Sequence, residues 1–325
     1  MPRRSWWLMV QGYLSRDARL DDWVGAKRIE WSFLDEQNFT WHAINDAQAQ
    51  SIACGASATP PPLKAFARAG ASISVQWTNV PKHHYGPSMS YLGAWTQGQS
   101  PNDVDFKIKG VGYDATKKVW ANEIIVNNGN REDLQIPSDI KPGLYILRTE
   151  LLSLHGNGQY SNPGLLGLPQ FYTHCFNIEI GGNGTAIPSG VKFPGGYPKN
   201  DPGVGFVLGK TAQYESYKVP GPPTYTGKFD TPQGSAPKVS SAKAGDTFPS
   251  DFQKKYLDLR KRFDSWSDKA VSFFDGMMGA SSATFMATHQ QEATALQKDR
   301  KSLRQEAVKL NLADPNAVMQ NSEIF

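Results

Sequence analysis

One pattern governs the stretch from Ala71 to Gly182. Short runs rich in β-branched and aromatic residues follow one another, each closed off by Gly, Pro or Asn. Ala71–Trp77, Ser88–Gly93, Asp105–Tyr113, Ala121–Asn127, Gly143–His155 and Cys175–Gly182 are read as strands on this basis. In the last of them Phe176, Ile178 and Ile180 alternate with Asn177 and Glu179, the period-two signature of a strand with one buried face. Short strands at regular spacing with turns between them predict a mainly β chain, an antiparallel sandwich. The segments 156–170 and 181–210 read as Gly/Pro-rich loops, long enough to carry function.

Composition narrows the function classes. The 30 Gly and 22 Pro among 325 residues favour many short elements over long helical bundles. Lys and Arg total 34 against 30 Asp and Glu, a net charge of +4 that implies no strong field for nucleic acid or acidic lipid. The apolar run Trp6–Val10 is far short of the roughly 18 residues a membrane-spanning helix needs. Neither a nucleic-acid nor a membrane partner is expected. Two Cys and six His rule out Cys-rich zinc sites. If Cys54 and Cys175 pair, they close a loop of about 120 residues, worth roughly 4 to 5 kcal/mol in the chain-entropy model, and they need an oxidising compartment. Sequons at Asn38 and Asn183 point the same way. The opening MPRRSWWLMVQG is basic but has too short an apolar stretch for a secretory leader.

Beyond the strands the character of the chain changes. Between Gly227 and Pro249 the Pro, Gly, Ser and Lys content is that of a linker. From Ser250 a heptad-like stripe follows, with Phe252, Tyr256, Leu259, Phe263, Trp266, Ala270 and Phe273 on one side. Gly276 to Ser282 interrupts it. A second stripe then carries Phe285, His289, Ala293, Leu296, Leu303, Ala307 and Leu310 before Pro315. The expected organisation is an atypical segment 1–43, a sandwich over 44–228 with a start near 11 as the alternative, a linker 229–249, and a helical hairpin over 250–325 packed on itself.

Several familiar sites are absent. DPGVGFVLGKT has Val204 where a phosphate loop requires Gly, and no G-x-S-x-G, H-E-x-x-H or dinucleotide fingerprint occurs. Glu150 and Glu179 sit on predicted strands and read most simply as solvent-facing residues. The histidines say more. His83 and His84 lie in a turn just before a strand, His155 ends a strand, and Gln170, Tyr172 and Cys175 open another, so imidazole, amide and phenol can converge at one end of a sandwich. Imidazole nitrogen suits copper, and a phenol makes a weak axial ligand.

His84-Tyr-Gly-Pro87, then WANEIIVNNGN, QIPSDIKPGLYILRTELLSLHGNG, PQFYTHCFNIEI, VKFPGGYPKNDPG and SYKVPGPPTY occur in order across most of residues 44–226. Together they resemble the fungal lytic polysaccharide monooxygenases of auxiliary activity family 9. That resemblance implies an immunoglobulin-like sandwich, secretion, one copper ion, and oxidative cleavage of cellulose or related β-glucans by a monomer supplied by an external electron donor. It implies copper ligation by His84 and Tyr172, catalytic hydrogen bonding by His155 and Gln170, a disulfide between Cys54 and Cys175, and a flat glucan-stacking role for Tyr217.

The start of the chain departs from the family, whose members begin with a histidine that binds copper through its ring and its terminal amine. The nearest counterpart here is Gln11 in QGYL, where the family often has H-G-Y-V. The departure is read as a first exon that displaced leader and histidine, with a divergent member lacking the brace as the alternative. As written, the chain is expected to bind copper weakly. A non-catalytic secreted polysaccharide- or copper-binding protein is the alternative function.

Overall fold

The computed structural model describes residues 9–14, 29–31, 43–55, 58–61, 64–77, 80, 84–96, 105–157, 168–209, 211–230, helical positions between 251 and 269, and 282–310. The sequence readings at His83, at Asn38, in the linker 231–249, at the break 276–281 and at Pro315 lie outside them.

The strands are β1 (Met9–Leu14), β2 (Ala65–Arg68), β3 (Ser72–Trp77), β4 (Ser88–Ala94), β5 (Asp105–Val111), β6 (Tyr113–Asp114), β7 (Val119–Trp120), β8 (Arg131–Gln135), β9 (Gly143–Ser153) and β10 (Gln170–Gly181). They form a three-stranded sheet, β1-β3-β8, a five-stranded sheet, β2-β10-β9-β4-β5, and a small β6-β7 ribbon. Every pairing inside the sheets is antiparallel except β1 with β3 and β2 with β10. Within the segment 1–43, the stretch 9–14 thus pairs into the smaller sheet, and Glu30 bridges to Phe176 while Trp31 N donates to Cys175 O.

Strand alternation sorts the core into layers. Leu147 and Leu151 of β9, Phe176, Ile178 and Ile180 of β10, and Leu92 of β4 face Ile73, Val75 and Leu134 of the other sheet and fill the space between the two. Leu152, Leu154, Phe171, Met89 and Tyr91 point to the opposite face of the larger sheet, where Phe193, Tyr197 and Trp120 cover them. The long segment after β10 is therefore a third layer, with bridges Asp105 to Val191 and Lys107 to Thr224 closing the β5 edge.

That layer overturns the reading of Glu150 as solvent-facing. Glu150 is fully buried, paired with the Arg148 guanidinium and accepting hydrogen bonds from Thr173 Oγ1 at 2.8 Å and Tyr197 Oη at 2.5 Å. Arg148 also donates to Ala53 O and Ile52 O at 3.0 and 2.8 Å and lies 3.9 Å over the Phe193 ring. Alternation placed Glu150 off the inter-sheet core correctly, but that face is roofed by chain and not by water. Glu179 does face solvent, beside Lys64 at 2.6 Å.

Ala121–Asn127, expected as a strand, is a helix, α1. The Glu123 carboxylate accepts from the Trp120 backbone N–H at 2.8 Å, capping the first turn, and Ala121 and Ile125 are buried on one side. A short apolar run is ambiguous between strand and helix by pattern alone, and the cap decided it.

Cys54 and Cys175 are joined, with Cα atoms 5.4 Å apart. The bond ties the turn at 50–54 to β10, next to the Arg148 hydrogen bonds to the same turn.

At the C-terminal end, helical positions between 251 and 269 (α2) and the helix Ser282–Lys309 (α3) form an antiparallel hairpin. Phe252, Leu259 and Trp266 of α2 and Ala293, Leu296, Leu303 and Ala307 of α3 are buried. Ion pairs Lys255–Glu306, Arg262–Asp299 and Lys269–Glu292 flank the seam at 2.7 to 2.8 Å. Each heptad forward along α2 meets a heptad back along α3, the register of an antiparallel pair. Leu310, expected on the buried side, is 39% exposed. No described helix is long and apolar enough to cross a membrane.

Candidate functional site

At one end of the five-stranded sheet, β4 begins, β9 ends and β10 begins. The antiparallel register puts Gln170 opposite Ser153, Tyr172 opposite Leu151, and Ser88 opposite Leu151 on the other side. Pairing continues past the strands: Leu152 N donates to Pro87 O and Leu154 N to Tyr85 O. This zips the His84-Tyr-Gly-Pro87 turn onto the end of β9. The approach demands glycine, since a Cβ on Gly86 would sit 1.9 Å from Leu152 O. Gly156, just after His155, is under the same constraint, with Leu168 O 2.3 Å from where its Cβ would be. Both glycines let backbone segments close on the site.

The side chains follow from this frame. The His84 ring lies 4.3 Å from the His155 ring and 5.9 Å from the Tyr172 ring, centroid to centroid. Tyr172 Oη donates to Gln170 Oε1 at 2.8 Å, which leaves the phenol's lone pairs and the amide's N–H groups to other partners. Ser153 Oγ is 2.6 Å from His155 Nδ1. Burial lowers the His155 pKa, so the ring is neutral near pH 7. Asn157 Nδ2 donates to Val204 O and Phe206 O, tying the His155 turn to the loop after β10.

Four of the residues singled out in the sequence, His84, His155, Gln170 and Tyr172, are thus together. Tyr217 is elsewhere, in the outer aromatic layer. Its ring packs edge-to-face on Trp120 and Phe206 with centroids 4.8 and 5.1 Å away, and its hydroxyl donates to Gly203 O. Burial, then the charge of Asp201, raises its pKa. Its ring is half-buried and packed within this layer. Ser153 escaped sequence reasoning. The available signal was its position two residues before His155, where β9 ends.

The donor set fits copper in part. An imidazole and a phenol suit the ion, yet among the described residues no group of three or more His, Cys, Asp or Glu side chains gathers around one point. A further nitrogen donor has to come from outside that set.

The fold is an immunoglobulin-like β-sandwich with two imidazoles, a phenol and an amide gathered at one end of its larger sheet. The sequence pattern of Auxiliary Activity family 9 (formerly GH61) matches residues 7–217, and the chain belongs to that family. It is 39% identical over 222 residues to lytic polysaccharide monooxygenase A of Geotrichum candidum, covering 67% of this chain and 73% of that one. Similarity to monooxygenase G of Emericella nidulans is 38% over 186 residues, 54% of this chain and 65% of the other. Among solved structures, Cel61B, a glycoside hydrolase family 61 member of Hypocrea jecorina, superposes with a TM-score of 0.53 at 30% identity, over 61% of this chain and 85% of that one. The extended catalytic domain of H. jecorina LPMO9A gives 0.52 at 32% identity, over 64% and 83%.

Proposed function

We propose that this chain is a polysaccharide monooxygenase that uses one copper ion to cleave cellulose or a related β-glucan oxidatively, fed by an external electron donor. The observation that carries the reading is the convergence of His84, His155, Gln170 and Tyr172 at one sheet end in a member of this family. His84 and Tyr172 would hold the metal through imidazole nitrogen and phenol oxygen. Gln11, within the family match and on β1, is the sequence counterpart of the family's first histidine, which would bring the remaining nitrogen donors. A copper ion held there would supply one-electron chemistry for oxidising a glycosidic carbon of the bound glucan with oxygen or peroxide. His155 and Gln170 orient the oxygen co-substrate by hydrogen bonding. The disulfide and the exposed sequon at Asn183 support action outside the cell.

The test is a Cu(II) titration with product analysis on two forms: the chain as given, and one that begins with His in place of Gln11 and continues from Gly12. The second should bind copper far more tightly and release oxidised oligosaccharides from cellulose with a reductant, and His84→Ala within it should abolish both. Equal, weak binding by the two forms would remove the copper assignment and leave a non-catalytic polysaccharide-binding protein.

A further inference from the structure

We propose that Ser153 is a positioning residue that fixes the tautomer of His155, keeping Nδ1 bare and the proton on Nε2, so that the ring presents an N–H donor to the site. The catalytic use of that donor rests on the function proposed above; the tautomer does not.

The argument begins with satisfaction of a buried hydroxyl. Ser153 is 1% exposed, and its Oγ lies 2.6 Å from His155 Nδ1. A hydroxyl carries one proton to give, and a neutral imidazole carries one N–H and one lone pair. If Nδ1–H donated to Oγ, the Ser153 proton would point into protein with no acceptor among the described residues, a cost buried polar groups rarely bear. If Oγ–H donates to Nδ1, both atoms are satisfied, and the remaining ring proton must sit on Nε2.

The neighbouring pair is built the same way. Gln170, directly across the strand pairing from Ser153, receives the Tyr172 hydroxyl proton on Oε1 at 2.8 Å. Its amide is therefore turned with the NH2 group away from Tyr172. A hydroxyl stands behind each residue, and each is left as a donor. Two oriented donors at one place suit an oxygen that gains negative charge during reaction, because they are set before the charge develops.

The experiment uses the full chain, metal-free, with 15N-labelled histidine at about pH 8, where imidazole is neutral. Long-range 1H–15N correlation spectra report which ring nitrogen is protonated, and His155→Gln assigns the signal. The wild-type spectrum should place His155 Nδ1 among bare acceptor nitrogens and Nε2 among protonated ones. Ser153→Ala should move population to the Nδ1–H form, and Ser153→Thr, which keeps the hydroxyl, should restore the wild-type pattern. In the copper-loaded form beginning with His, Ser153→Ala should lower kcat on the order of 10-fold with KM little changed, and Ser153→Thr should recover it. A protonated Nδ1 in the wild type, or an unchanged tautomer in Ser153→Ala, overturns the assignment. A tautomer that behaves as stated in a protein that oxidises no polysaccharide in any form upholds the role of Ser153 and overturns the proposed function.

Discussion

Removing the Arg148 guanidinium should destabilise this protein more than most single changes. In Arg148→Met the aliphatic stem is kept, while the guanidinium's stacking on Phe193 and Tyr91 goes with the charge. What is lost is the counter-charge to Glu150, which is 0% exposed and would keep only the hydroxyls of Thr173 and Tyr197. The carbonyls of Ile52 and Ala53 also lose their donor. Breaking a buried ion pair by deleting one partner costs about 3 to 5 kcal/mol. At about 2 to 4 °C per kcal/mol for a domain of this size, the sandwich transition should fall on the order of 10 °C. Differential scanning calorimetry at neutral pH with the disulfide intact measures it. Adding Glu150→Leu to Arg148→Met removes the stranded carboxylate and should recover about half of the loss, since replacing both partners avoids the uncompensated charge. A single-variant loss below about 1 kcal/mol, or a double variant no better than the single, would refute the reasoning.

Two further outcomes are expected. Burial lowers the Lys107 pKa from 10.5 to about 8, so above that pH the folded chain sheds a proton that the unfolded chain keeps. Lys107 is then a destabilising charge in full below about pH 8, relieved as pH rises toward its unfolded value. The melting temperature of the wild type relative to Lys107→Met should climb between about pH 8 and 10; a flat difference would show that the ammonium is not desolvated when charged. Truncation after Gly234 should leave the melting transition of the sandwich nearly unchanged, because among the described residues its core clusters reach no further along the chain than Tyr225. A large drop in melting temperature on truncation would show that the helices complete its core.

The strands most legible in the sequence were those with a single buried face. Phe176, Ile178 and Ile180 alternate in the sequence and line the inter-sheet core as expected. The hairpin was legible for a similar reason, since Phe252, Leu259 and Trp266 recur by heptads and are buried in α2. Where periodicity was short, reading failed: Ala121–Asn127 folds as a helix because Glu123 caps it, an interaction of side chain with backbone that hydrophobic pattern does not encode.

The sequence by itself determined the family, through motifs such as His84-Tyr-Gly-Pro87 and Gln170-Phe-Tyr172, and hence which side chains should meet. Within the first motif, Gly86 answers a local demand, the close approach of Leu152 O. Tertiary structure alone decided what surrounds those residues. It buried Glu150 against Arg148, packed Tyr217 into the aromatic layer, and set Ser153 behind His155. The physical reason is range: propensity and periodicity act over a few residues of chain. Whether a polar side chain meets water, a counter-charge or a hydrogen-bond partner depends on segments far away in sequence, such as the layer after β10 that folds over the sheet.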